Sequence, residues 1–228
     1  MKALFVNGSP RKNWNTHKML ESAMKGASDS GAECELVHLY DSAFKGCVSC
    51  FACKIKNSKT NGLCAYKDAL TPILKKALDS DIIVAGSPIY FSLPTALYRA
   101  FMERLMFPIL SYNGKYDEET HTMELGILTR TIYTASIYTM GYPDEECIKN
   151  FGYISVFDEN RRFLEQLFGY SEYIYAYNTY QFSDYSRYDV AEAIEPMKAK
   201  YRDEEFPKDL QKAYELGKRL AEKAGGNS

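Results

Sequence analysis

The chain has 228 residues, 46% hydrophobic and 25% charged, an ordinary globular composition that excludes global disorder. Its 28 basic and 30 acidic residues give a net charge of −2 and are spread along the chain, so a nucleic-acid partner has no electrostatic support. The longest uncharged run, residues 82–98, carries Gly86, Ser87, Pro88, Ser92, Pro94 and Thr95 and is not a membrane span. The apolar stretch at the N-terminus, residues 3–6, is too short for the core of a signal peptide. The expectation is one domain over residues 1–228, in the cytoplasm and without a membrane partner.

Taken in order, residues 2–6 read as a buried strand that breaks at Asn7-Gly8-Ser9-Pro10. Helical spacing follows from Thr16 through Met19, Leu20, Ala23, Met24 and Ala27, with Gly31 ending the unit. Residues 33–39 read as a second strand, and 44–66 as an irregular cysteine-rich loop. A helix is expected at 68–78. A strand at 81–85 should end at Gly86-Ser87-Pro88, and a helix should begin near Pro94, a residue suited to a first turn. Residues 111–130 form a polar insertion. Strands are expected at 131–140 and 173–177, and helices at 158–168 and 206–224.

Strands that alternate with helices imply a five-stranded parallel sheet covered on both faces. Ligands of such sheets sit beyond the carboxyl ends of the strands. Chemistry is therefore expected in the turns after strands one, three and four: residues 8–16, 87–94 and 140–143. The first, GSPRKNWNT, is rich in small polar residues and opens a helix. A helix N-terminus offers unpaired N–H groups and partial positive charge, which suits phosphate. The loop has neither the Walker spacing nor G-x-G-x-x-G, so a phosphate monoester with its own ring system fits better than a dinucleotide. A plain hydrophilic connection would read the same way. The second turn sets Tyr90 and Phe91 where a planar heterocycle could stack. Equally, the two rings could pack beneath a loop.

GSPRKNWNT, SPIYFSLPTALYRAFMERL and IYTM, in that order, resemble the flavodoxin-like NAD(P)H-dependent FMN reductases, in particular members with a GCxxCxxCK segment after the second strand. The resemblance implies a flavodoxin-like three-layer sandwich. It also implies FMN as cofactor, NAD(P)H as co-substrate and a quinone-like or other small-molecule electron acceptor. Carried over, FMN phosphate would fall to Ser9, Arg11, Asn15 and Thr16. The flavin ring would fall to Pro88, Ile89, Tyr90 and Phe91 on one side and to Thr139, Met140 and Gly141 on the other. No residue stands out as a catalytic acid or base.

Four of the six cysteines lie within 18 residues, as C-x2-C-x2-C-x10-C at Cys47, Cys50, Cys53 and Cys64. Such thiolates could hold an iron–sulfur cluster or zinc, or could simply pack. They are expected to converge in space beside the flavin's edge. Iron–sulfur flavoproteins belong to the family the chain resembles, which leaves an electron carrier as the alternative function. A flavin-free binding or regulatory module is a third. Eleven of the 19 tyrosines fall between Tyr133 and Tyr188. Tyr180, Tyr185 and Tyr188 lie outside any expected strand and read as an interface or a pocket rim. The expectation is a homodimer or higher homo-oligomer.

Overall fold

The computed structural model describes residues 1–226 except Thr120 and Glu124, and for Thr122 the backbone alone. Two residues of the expected insertion at 111–130, and the last two of the chain, thus lie outside the described residues.

Five strands form the parallel sheet: β1 (Lys2–Asn7), β2 (Glu33–His38), β3 (Ile82–Tyr90), β4 (Ile132–Thr139) and β5 (Gly169–Ala176). Their spatial order is β2-β1-β3-β4-β5, the flavodoxin-like order with its switch point between the first and third strands. Among the described residues seven α-helices accompany them: α1 (Asn15–Asp29), α2 (Thr71–Asp79), α3 (Ala96–Ile109), α4 (Glu145–Asn150), α5 (Tyr153–Phe168), α6 (Ile194–Glu204) and α7 (Phe206–Ala224). The three-layer reading holds.

The period-two alternation of the strands sorts side chains into two cores. Leu4, Val6, Ile83, Ala85 and Tyr138 face one way and meet Leu74, Phe101 and Phe157. Ala3, Phe5, Ile82, Val84, Ala135 and Ile137 face the other and meet Met19, Leu20, Leu216 and Leu220. Both faces are buried, so the strands read as unbroken apolar runs.

On the second face α1 and α7 touch backbone to backbone. A Cβ on Gly217 would stand 1.8 Å from the Ala23 carbonyl oxygen, and one on Gly26 would stand 2.0 Å from that of Tyr214. Only glycine permits this approach.

The structure departs from the sequence expectation in several places: α5 begins at Tyr153 rather than 158 and β5 at Gly169 rather than 173, because polar and aromatic leading residues hid both starts. β3 does not end at Gly86: it continues to Tyr90 and folds back on a short antiparallel strand, Leu93–Pro94. The two connecting residues, Phe91 and Ser92, both have positive φ, at 49° and 68°, which is the geometry of a tight hairpin turn. Pro94 therefore belongs to that strand, and the Thr95 hydroxyl caps α3 by accepting from the Tyr98 N–H. Finally, α4 and α6 are helices where the sequence reading had none. The expected insertion carries a small hairpin, Tyr116–Asp117 with Thr122–Met123. No helix among the described residues is long and apolar enough to cross a membrane.

Candidate functional site

A cleft opens beyond the carboxyl ends of β1, β3, β4 and β5, where ligands of such sheets sit. Ten of the eleven expected residues line it: Ser9, Arg11, Asn15, Thr16, Pro88, Ile89, Tyr90, Thr139, Met140 and Gly141. Phe91 does not. It sits at the hairpin tip, 100% exposed, because β3 runs five residues further than its apolar core suggests.

The floor is the first loop. Asn7, at the end of β1, is buried, and its Oδ1 accepts the Ser9 N–H at 2.9 Å. Ser9 Oγ in turn accepts the Arg11 N–H at 3.1 Å. Two successive side-chain-to-backbone turns thus fix the loop. Gly8 donates to the Gly86 carbonyl at 2.8 Å, and its own carbonyl accepts from the Thr95 hydroxyl at 2.6 Å. A Cβ at Gly8 would meet Tyr98 Cβ at 2.8 Å, so the loop lies directly against α3.

The loop delivers the chain into α1, whose N-terminus has no side-chain cap and no acidic residue in its first turn. The first N–H groups of such a helix stay available, with positive partial charge. Thr16 Oγ1 and Thr139 Oγ1 are 2.7 Å apart. Arg11 donates through Nη1 to the Gln181 carbonyl, and Asn15 Nδ2 donates to the Tyr180 carbonyl at 2.8 Å. Three of the four side chains expected at the phosphate are therefore already tied to the walls.

A further wall comes from Thr179, Tyr180, Gln181 and Phe182, together with Trp14 from the loop; of these the sequence reading singled out only Tyr180, as part of an interface or a pocket rim. The Trp14 indole N–H donates to the Tyr180 carbonyl at 2.9 Å, and the Arg11 guanidinium lies 5.1 Å from the indole ring. Tyr180 and Tyr185 pack at 4.9 Å, and Phe182 stacks on Tyr188 at 4.0 Å. Tyr180 lies on the rim of the cleft, and Tyr185 packs against it. The signal was their place in the loop after the fifth strand, a loop the switch-point argument had passed over.

Behind this wall the Lys198 side chain is buried. Its ammonium donates to the carbonyls of Gly141 (2.8 Å) and Thr179 (3.4 Å) and to Asn178 Oδ1 (3.3 Å). Burial lowers its pKa to about 8.

Cys47, Cys50, Cys53 and Cys64 line one small cavity with Phe51, Arg104 and Phe107, so the four share a site, but not the one expected beside the flavin's edge. This cavity shares no lining residue with the cleft. All four thiols are free. Burial pushes the Cys53 thiol above its ordinary value, opposite to what a nucleophilic thiolate needs. Four cysteines are the donor set of an iron–sulfur centre. Among the described residues, however, no three Cys, His, Asp or Glu side chains are disposed as a ligand group. The segment is pinned by buried Arg104, which donates to Asp68 Oδ2 at 2.5 Å, to the Lys45 and Tyr66 carbonyls at 3.1 and 2.6 Å, and to Cys64 Sγ at 3.4 Å.

Comparison with known proteins places the loop and sheet in context. Residues 1–121, from β1 through α3 and into the insertion, match the family of NADPH-dependent FMN reductases. The chain belongs to that family. It is 34% identical over 106 residues to an iron-sulfur flavoprotein of Archaeoglobus fulgidus, covering 46% of each chain. It is also 34% identical over 104 residues to one of Methanocaldococcus jannaschii, covering 46% of this chain and 51% of the relative. The match thus spans about half the length of these curated relatives. An NAD(P)H:quinone oxidoreductase from Methanothermobacter marburgensis superposes with a TM-score of 0.64 at 16% identity, covering 96% of this chain and 98% of that one. An azoreductase from Bacillus anthracis gives 0.63 at 14%, covering 96% and 99%. At such identities these two structures speak for the fold alone.

Proposed function

We propose that this family member is an FMN-dependent oxidoreductase that passes electrons from NAD(P)H to a small acceptor, quinone-like or otherwise. The observation that carries the reading is the uncapped N-terminus of α1 at the floor of a cleft on the switch-point end of the sheet. Bound FMN would supply hydride acceptance and onward electron transfer. The chain's own part is binding and orientation. Ser9, Arg11, Asn15 and Thr16 would hold the phosphate, with the α1 N–H groups beneath them. Pro88, Ile89 and Tyr90 would flank the ring from one side, and Thr139, Met140 and Gly141 from the other.

The test is titration of the apoprotein with FMN, followed by NADH or NADPH consumption with a quinone acceptor. Saturable binding and flavin-dependent turnover are the expected result. A chain that takes up no flavin would be a binding module instead.

A second reading, an iron–sulfur flavoprotein acting as electron carrier, is favoured by the shared cavity of the four cysteines. Its ligands would be drawn from Cys47, Cys50, Cys53 and Cys64, which would have to close together, since among the described residues they are not disposed as a ligand group. Iron and acid-labile sulfide in anaerobically purified protein would support it, and their absence would remove it. A homodimer or higher oligomer is part of the proposal. Light scattering on FMN-loaded protein checks it against the 26.0 kDa of one chain.

A further inference from the structure

Lys198 lies on α6, beyond the 121 residues that match the family and outside the lining of the cleft. It is buried, and all three partners of its ammonium are neutral oxygens: the carbonyls of Gly141 and Thr179 and the Asn178 side chain. An ammonium has three donors, so all of them are used. Holding a charge there without a counter-ion costs stability. Two of the three acceptors belong to residues that line the cleft.

The peptide bonds concerned are trans, since the chain has no cis peptide among its described residues. In a trans peptide the carbonyl and the following N–H point in opposite directions. The Gly141 and Thr179 carbonyls point away from the cleft to Lys198. The N–H groups of Tyr142 and Tyr180 therefore point back toward it. Neither N–H donates to a protein acceptor among the described residues. The Tyr180 carbonyl, in the next peptide, is held by Trp14 Nε1 and Asn15 Nδ2, so the peptides on both sides of the Tyr180 Cα are each tied down.

We infer that Lys198 is a positioning residue of the cleft: by drawing the Gly141 and Thr179 oxygens outward, it presents the Tyr142 and Tyr180 N–H groups inward, as donors to electron-rich oxygens on the edge of a bound flavin ring. The inference rests on the FMN reading. The ammonium stands behind the donors in a water-poor setting, where fixed charge acts more strongly than in water. It favours the ligand state with more electron density on that edge.

The experiment titrates apoprotein with FMN for the wild type, Lys198→Met and Lys198→Arg, with circular dichroism to check the fold and a redox titration of each complex. Lys198→Met is expected to bind FMN roughly ten- to hundredfold more weakly and to have a more negative midpoint potential. Lys198→Arg is expected to recover most of the affinity. Wild-type binding together with unchanged affinity and potential in Lys198→Met overturns the inference while leaving the cofactor reading intact. A wild type that binds no FMN removes both. Should Lys198→Met fail to fold, amide exchange in the wild type decides: slower exchange at Tyr142 and Tyr180 on FMN addition supports the inference, and unchanged exchange at both overturns it.

Discussion

The hydroxyls of Thr16 and Thr139 lie 2.7 Å apart, both residues buried, and join the first turn of α1 to the end of β4. Truncating one member strands the other. Thr139→Ala should destabilise the fold by about 1–3 kcal/mol, the cost of a buried polar group left without its partner. The double variant Thr16→Val/Thr139→Val should recover most of that loss, because both polar groups vanish together. Urea unfolding of these variants and of the two single valine variants separates a paired hydrogen bond from two independent hydroxyls. A double loss equal to the sum of the Thr16→Val and Thr139→Val single losses would mean that the hydroxyls act independently and the pair contributes nothing.

Ser9 should matter to FMN affinity out of proportion to its size. Its Oγ accepts the Arg11 N–H, which leaves the hydroxyl proton for a phosphate oxygen. Ser9→Ala should weaken FMN binding by ~1.5–3 kcal/mol, typical of a hydrogen bond to a charged group. Fluorescence quenching of FMN by the apoprotein gives the number. Wild-type affinity in this variant would move the phosphate elsewhere.

Arg104 is the anchor of the cysteine segment. Burial pushes the Asp68 carboxyl up, but the hydrogen bonds from Arg104 and from the Leu70 and Lys45 N–H groups outweigh it, and the net pKa lies below the ordinary value. Arg104→Ala should cost about 3–5 kcal/mol, as expected when one member of a buried ion pair is removed. Protease cleavage should then appear first within residues 44–66. A depressed carboxylate contributes stability above its unfolded pKa of 3.8 and loses it as pH falls through the lower folded value. The acid limb of the wild type should therefore be steeper than that of the variant. Identical limbs would show that the pair is not coupled to folding.

The alkaline limb should belong to tyrosine. Burial and the hydrogen bond to Asp158 raise the Tyr173 pKa from 10.0 to about 12. A raised folded pKa means that the native chain holds the proton more tightly. The contribution is complete below pH 10 and is lost between about pH 10 and 12. Tyr173→Phe should lower stability in the neutral region, where the contribution is complete, and flatten the profile between about pH 10 and 12. Denaturant midpoints taken across this range test it, and parallel profiles for the two proteins would refute the assignment.

Much of the sheet could be read from the chain because doubly buried strands leave continuous apolar runs: residues 2–6 and 81–85 announced β1 and β3. Helix α7 was read with its observed bounds, since Leu210, Ala213, Gly217, Leu220 and Ala221 repeat at helical spacing. The hairpin at Phe91 was not legible. Its turn uses positive φ at Phe and Ser, where Asn-Gly would have signalled it, and Pro88 reads as a strand end. Helix α6 stayed hidden because much of it is polar, and the Lys198 it buries looks in sequence like any solvated lysine. Ten of the eleven residues carried over by resemblance line the cleft, since strand ends are fixed by topology. The wall at 179–182 depends on contacts back to Trp14 and Asn15, about 165 positions away — a separation no local pattern encodes.

The glycine-mediated contact between α1 and α7 sets a limit on how this chain can be divided. The 121 residues that match the family include α1 but not α7, which covers Met19, Leu20 and Ala23 on its inner face. A fragment cut at residue 121 would bare that face and leave β3 with an open edge where β4 pairs. It would keep the 8–16 loop but lose Thr139, Met140 and the 179–182 wall. The border of detectable kinship is therefore not the border of a folding unit. The recognisable half of the molecule thus relies, for the cover of its first helix, on a helix at the opposite end of the chain.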